Sequence, residues 1–182
     1  MGTRKPIFID RDGVLNVDVS PYISNVDQLQ LFSWTVGSLL KLHENGFEIY
    51  VVSNQQGVAL GITSSEALEQ ITEKIQSAVR PEGFSIKKFY HCTALDSENH
   101  PWRKPSPGMI LAARDEFNLE LGDAFFIGDK WSDIECAARA GCRPLLVLSG
   151  VTAPGSWAQW KFKPERVFPS LKEAAEWVVE QG

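Results

Sequence analysis

Cysteine is scarce in this sequence and does not pair off: Cys92, Cys136 and Cys142 are the only three, with no framework spacing. Disulfide stapling is thereby excluded as the basis of the fold, and reduced thiols in a cytoplasmic protein are expected. Long apolar runs are missing too. None approaches the ~20 residues of a membrane span, and no apolar stretch with a cleavage site follows Arg4 and Lys5. Nor is there surplus positive charge: 18 Lys and Arg against 23 Asp and Glu leave a formal net charge of −5. Nucleic acid and membrane surfaces are therefore not the expected partners, although a few local lysines and helix N-termini can still hold a small anion. Repeats, low-complexity tracts and linkers are absent as well. A chain of 182 residues can bury a core unaided, so one soluble domain over residues 1–182, working as a monomer, is the expectation.

What is present is an alternation of strand and helix signals. Apolar runs at Ile7–Asp10, Phe47–Val52, Phe84–His91, Ala124–Ile127 and Leu145–Leu148 read as five buried strands. Between them, Ser33–Asn45 has helical spacing with Gly46 at C′, and Thr63 with Glu66 forms a capping box before Leu68, Ile71 and Ile75. Ser106 and Pro107 read as N-cap and N1 of a helix through Phe117. Ser132–Ala140 is closed by Gly141, and Ser170 with Glu173 caps a last helix. The stretch Ala153–Pro169 is irregular and is expected to lie on the surface, packed by Trp157 and Trp160. Strands separated by helices mean βαβ units: an α/β fold with a parallel central sheet and helices on both faces, a Rossmann-like three-layer sandwich.

The chemistry-bearing residues fall at the strand ends. Asp10 and Asp12 follow the first strand at i and i+2, so both carboxylates can face one volume at the carboxyl edge of the sheet. Gly13 lets the chain turn there and brings backbone N–H groups towards an anion; the plain alternative is a solvated turn. Ser53, Asn54 and Gln55 after the second strand offer hydroxyl and amide groups to phosphate oxygens, or are ordinary turn residues. Arg103 and Lys104 are anion anchors or a solvated basic pair. Asp129 and Asp133, four apart at a strand-to-helix junction, suit a hard cation, unless Asp133 is simply a helix cap.

In this order, Asp-x-Asp-Gly, strand-Ser-Asn, Lys-Pro and strand-Gly-Asp-x-x-x-Asp, the chain resembles the haloacid dehalogenase superfamily of phosphotransferases. That resemblance implies Asp10 as nucleophile and Asp12 as acid/base. It implies Mg²⁺ on the Asp10 side chain, the Asp12 carbonyl and Asp129, with Asp133 behind them and Ser53 and Lys104 on the phosphoryl group. Cap domains enter this superfamily after the first or second motif. Here Asn16 to Ser33 and Gly57 to Arg103 are too short for one, so no cap domain is expected. Asp-Arg-Asp-Gly-Val-Leu-Asn, Ser-Asn-Gln-Gln-Gly, Arg-Lys-Pro-Ser-Pro-Gly-Met and Gly-Asp-Lys are similar to a capless branch of heptose-bisphosphate 7-phosphatases and histidinol-phosphate phosphatases, from Ile7 to about Gly150.

Pro107-Gly108-Met109 and Lys130 lean to the heptose side, acting on a small phosphosugar. The branch then implies that Arg103, Lys130 and Asp18 to Tyr22 line the substrate pocket. The branch also carries a structural zinc loop, Cys-x-His then Cys-x-Cys before Arg-Lys-Pro. Here Cys92 remains, Ala94 replaces the histidine, and His100 and Trp102 stand at the later cysteines. Alanine and tryptophan give zinc no ligand. No zinc is expected, His91, Cys92 and His100 being the remnant, and Trp102 is expected to pin the loop by burial. The loop is short, as in the histidinol-phosphate type.

Overall fold

The computed structural model describes residues 5–181; Arg4 and the two extreme ends of the expected domain lie outside them. In chain order the elements are β1 (Lys5–Ile9), α1 (Thr35–Glu44), β2 (Phe47–Asn54), α2 (Ser65–Val79), β3 (Lys88–Cys92), α3 (Gly108–Phe117), β4 (Phe125–Gly128), α4 (Trp131–Ala140), β5 (Arg143–Val147), β6 (Arg166–Phe168) and α5 (Leu171–Gln181). The strands form one parallel sheet in the order β3-β2-β1-β4-β5-β6.

Strand residues alternate between two cores, as a period of two requires. Ile7, Ile9, Ile49, Val51 and Ile127 pack with Leu39 and Leu42 of α1, Ile71 and Ile75 of α2, and Ala174 and Val178 of α5. Phe8, Tyr50, Val52 and Phe126 face the other way, onto Met109, Ile110 and Ala113 of α3 and Cys136 and Ala137 of α4. These are the three expected layers, and among the described residues no cap domain interrupts them. All three cysteines are buried free thiols, and no helix among the described residues is long and apolar enough to cross a membrane.

Four local expectations need correction. Ser64, not Thr63, caps α2 by accepting the Ala67 N–H; the Thr63 hydroxyl is already committed to the Ile23 carbonyl, 2.8 Å away. Pro107, not Ser106, is the N-cap of α3, without a side-chain cap bond. Strand β3 begins at Lys88 rather than Phe84, because Ile86 exchanges both its backbone bonds with the Gln76 amide of α2 (3.1 Å each). Finally, the irregular stretch 153–169 contains β6, which pairs with β5 from Leu145↔Arg166 to Val147↔Phe168. Trp157 and Trp160 are half-buried there, as expected.

Candidate active site

Beyond β1, the Asp10 N–H still bonds to the Ile127 carbonyl at 2.9 Å, so the sheet itself fixes this residue. Its carboxylate is buried and accepts the Arg11 N–H at 2.7 Å. Lys104 comes from the loop before α3 and is held by Asn54, which pairs with both its N–H (3.0 Å) and its C=O (3.1 Å). The Lys104 ammonium lies 2.8 Å from Asp10 Oδ1 and 2.7 Å from Asp133 Oδ1, and donates to the Val52 carbonyl at 3.1 Å. The ammonium is thus held between two carboxylates and a carbonyl. The Oδ2 of Asp133 accepts the N–H groups of Asp129 (3.1 Å) and Lys130 (3.0 Å). Asp133 is therefore the α4 cap and a Lys104 partner together; the two readings of this residue are one geometry.

Asp10, Asp129 and Asp133 bring ligand oxygens within 4.8 Å of one another. Burial drives the Asp10 carboxyl up to about 6, with Lys104 opposing and Asp133 adding to the rise. Burial and then Asp133 push Asp129 up to about 8. Lys104 loses from burial but gains more from Asp10 and Asp133, and stays firmly protonated. Lys104, with the more distant Lys130 that is also paired to Asp18, does not balance three buried carboxylates. Asp129 Oδ2 accepts the Val151 N–H at 3.0 Å, whereas its Oδ1 is buried with no partner. An all-oxygen set with an orphaned carboxylate oxygen fits a small hard cation such as Mg²⁺.

Two glycines make room for Asp129. A Cβ on Gly13 would meet Asp129 Oδ2 at 2.6 Å and one on Gly150 at 2.0 Å; Gly13 also has a φ of +80°. The N–H of Gly13 bonds to the Asn16 carbonyl at 2.8 Å. It turns the chain as expected but does not itself offer that N–H to an anion.

Asp12 shares a small cavity of about 40 Å³ with Asp10, Ser53, Asn54, Lys104, Lys130, Ser132 and Asp133. An adjoining one of about 120 Å³ is lined by Arg11, Asp12, Asp18, Tyr22, Asn54, Gln55 and Lys130, among others. Burial pushes the Asp12 carboxyl up, but the Arg11 charge and hydrogen bonds from Asn16, Arg11 and Gln55 outweigh it and hold it below its ordinary value.

Of the other residues singled out by sequence, Ser53 is buried and accepts from Gln55 Nε2 at 2.6 Å; the same amide reaches Asp12 at 2.9 Å. Lys130 and Asp18 pair at 3.2 Å, and the Tyr22 hydroxyl accepts from Gln56. Arg103 is not brought into either cavity. It turns to Asp96 (3.0 Å) and the Ala94 carbonyl (3.2 Å). Sequence reasoning missed Arg11, Asn16 and the 150–152 segment, where Val151 and Thr152 bond to Asp129.

In the loop after β3, Cys92 Sγ lies 3.8 Å from His100 Nδ1, which accepts the Trp102 N–H. His91 is occupied elsewhere. Thr72 gives its hydroxyl proton to the Leu68 carbonyl, so it accepts from His91 Nε2 at 3.0 Å. Burial, then the Arg11 charge, depress His91 to about 4. The loop is tied by Arg103–Asp96, by the Leu95 N–H on Glu98, and by Trp102 edge-on to Tyr90 at 5.8 Å.

The profile of the HAD-hydrolase-like family matches residues 101–174. A D-glycero-D-manno-heptose-1,7-bisphosphate 7-phosphatase of Chlorobaculum tepidum is 32% identical over 96% of this chain and 94% of its own. A D-glycero-beta-D-manno-heptose-1,7-bisphosphate 7-phosphatase of Helicobacter pylori strain J99 is 33% identical over 97% and 98%. Among solved structures, the D,D-heptose 1,7-bisphosphate phosphatase of B. bronchiseptica, complexed with magnesium and phosphate, superposes with a TM-score of 0.90. It is 28% identical and covers 98% of this chain and 99% of its own.

Proposed function

The chain belongs to the haloacid dehalogenase-like phosphatases, in the family of the heptose-bisphosphate 7-phosphatases, and on that premise we propose that it removes the 7-phosphate of D-glycero-D-manno-heptose 1,7-bisphosphate with Mg²⁺. The observation that carries this reading is the buried Lys104 bridging Asp10 and Asp133 next to the unpartnered oxygen of Asp129. Nucleophile and anion anchor share one small cavity, and the Asp129 carboxylate lies within 4.8 Å of Asp10 and Asp133 beside it.

In this account the Asp10 carboxylate attacks phosphorus. The bond from phosphorus to the sugar oxygen breaks, the electron pair leaves with that oxygen, and Asp12, whose carboxyl must enter this step protonated, gives it a proton. Water then attacks the aspartyl phosphate while Asp12 takes a proton from it. The bond from phosphorus to Asp10 breaks, freeing inorganic phosphate and restoring the carboxylate. Ser53 and Lys104 steady the phosphoryl oxygens. Mg²⁺, when bound by Asp10, the Asp12 carbonyl and Asp129, offsets the repulsion between carboxylate and phosphate. Asp133 keeps Lys104 oriented. Asp18, Tyr22 and Lys130 form the sugar-facing wall, and Asn54 and Gln55 brace Lys104, Ser53 and Asp12; Arg103, tied to Asp96 and the Ala94 carbonyl, would reach a distal phosphate only by leaving those partners. The loop after β3 works without zinc, its ion pair and ring contact replacing the metal.

Histidinol phosphate is the alternative substrate that the short loop suggests. It would need an acid for its amine, and both candidates are engaged: Asp18 with Lys130, and Glu98 with the Leu95 N–H. The heptose reading is preferred because relatives of that name match nearly the whole chain. The assignment of Asp10 is tested by Asp10→Asn, which should melt like the parent protein and show no Mg²⁺-dependent phosphate release. Turnover retained by this variant would remove Asp10 as the nucleophile.

A further inference from the structure

Arg11 is the residue whose position the chemistry above leaves unexplained. It is 1% exposed, a fully buried guanidinium, and a buried charge is costly unless it is paired. Neighbours in an extended segment point to opposite sides, so Arg11 ought to face away from Asp10 and Asp12. Instead it curls back. Its Nε and Nη2 donate to Asp12 Oδ1 at 3.1 and 2.8 Å, and Nη2 also reaches Oδ2 at 2.8 Å. Asn16 (2.9 Å, on Oδ1) and Gln55 (2.9 Å, on Oδ2) complete the grip.

Of these three side chains only Arg11 contacts both oxygens, and so only Arg11 fixes the plane of the carboxylate. Gln55 divides its amide with Ser53, and Asn16 divides its own with the Val17 carbonyl. Arg11 also sets Asp10, through its backbone N–H at 2.7 Å. Its carbonyl accepts the N–H groups of Val14, Leu15 and Asn16, which anchors the turn. One residue thus fixes the positions of both carboxylates. Its Nη1 is buried without a partner, an expense that an apolar side chain of similar bulk would avoid were packing alone at stake.

We propose that Arg11 is the positioning residue of Asp12, holding its carboxylate at the cavity wall in the orientation from which a proton passes to the leaving oxygen. This rests on the assignment of Asp12 as acid/base. The guanidinium fork suits the task and an ammonium does not, because a lysine is a point charge that leaves the carboxylate plane free to rotate.

Leaving-group dependence tests it. A sugar alkoxide cannot depart without a proton, whereas the p-nitrophenolate of p-nitrophenyl phosphate can, and kcat/KM reports the steps up to that departure. Arg11→Lys and Arg11→Met should lower kcat/KM on the heptose bisphosphate by about 100-fold and on p-nitrophenyl phosphate by less than about 5-fold, the pattern of a lost general acid. Asp12→Asn, measured alongside, should show the same selectivity, larger in size. Should Arg11→Met fail to fold, Arg11→Lys carries the comparison, with melting temperature as the check. Equal losses on both substrates, or none, would overturn the positioning role while a selective Asp12→Asn kept the acid/base assignment intact. A non-selective Asp12→Asn would overturn both.

Discussion

A methyl group at Gly150 would lie 2.0 Å from Asp129 Oδ2, and one at Gly13 2.6 Å from the same atom. Gly150→Ala should therefore displace Asp129 and weaken Mg²⁺ at least about tenfold, an effect of the size known for groups that orient metal ligands; the Mg²⁺ dependence of phosphate release reads this directly. Unchanged Mg²⁺ dependence would mean that Asp129 has slack to move. At this scale the carboxylates Asp10, Asp12, Asp129 and Asp133 and the cation Lys104 were legible in the sequence, because each sits at a strand end or helix start that topology brings to one edge. Gly150 and Arg11 were not. The space that Gly150 leaves belongs to a side chain distant in sequence, and the curl of Arg11 onto Asp12 contradicts the alternation that a strand implies.

The elements follow their local signals closely except where a side chain has a competing bond. Ser64 accepts the Ala67 N–H at 3.0 Å and caps α2. Ser64→Ala should cost about 1 kcal/mol of stability in urea unfolding, the ordinary value of an N-cap, with kcat unchanged. A loss of activity without a loss of stability would contradict a purely capping role. Thr63 looked like the cap because the pattern Thr-x-x-Glu is the same local signal, and nothing local reveals its bond to the Ile23 carbonyl. The same limit hid β6: three residues become a strand only because Glu165 returns its N–H to the Pro144 carbonyl at 2.7 Å and aligns them with β5. By contrast α4 was legible at both ends, since Asp133 at its start and Gly141 in the left-handed conformation at its close are strong local signals.

Over the whole molecule, the parallel sheet with a helix layer on each face followed from strands alternating with helical segments, and the half-buried His91 at the end of β3 gives the fold a pH limit. His91, held at about 4 by burial and by Arg11, stays neutral in the folded protein while the unfolded chain protonates it near 6.5. The stability it contributes is complete above about pH 6.5 and is lost as the pH falls towards 4, by on the order of 2–3 kcal/mol. Asp10 and Asp129, raised by burial, titrate with the opposite sign over neighbouring pH. The comparison therefore belongs in saturating Mg²⁺, between the parent and His91→Gln. The parent should lose more melting temperature between pH 7 and pH 5 than the variant; parallel losses would place the acid sensitivity elsewhere.

Phosphate release from both anomers of D-glycero-D-manno-heptose 1,7-bisphosphate and from histidinol phosphate, with Mg²⁺ and after its removal by chelator, tests both the cation seat and the substrate. Turnover should vanish without Mg²⁺, and kcat/KM should favour a heptose bisphosphate. Equal turnover without Mg²⁺ would contradict the Asp10–Asp129 cation seat, and a preference for histidinol phosphate would contradict the heptose assignment.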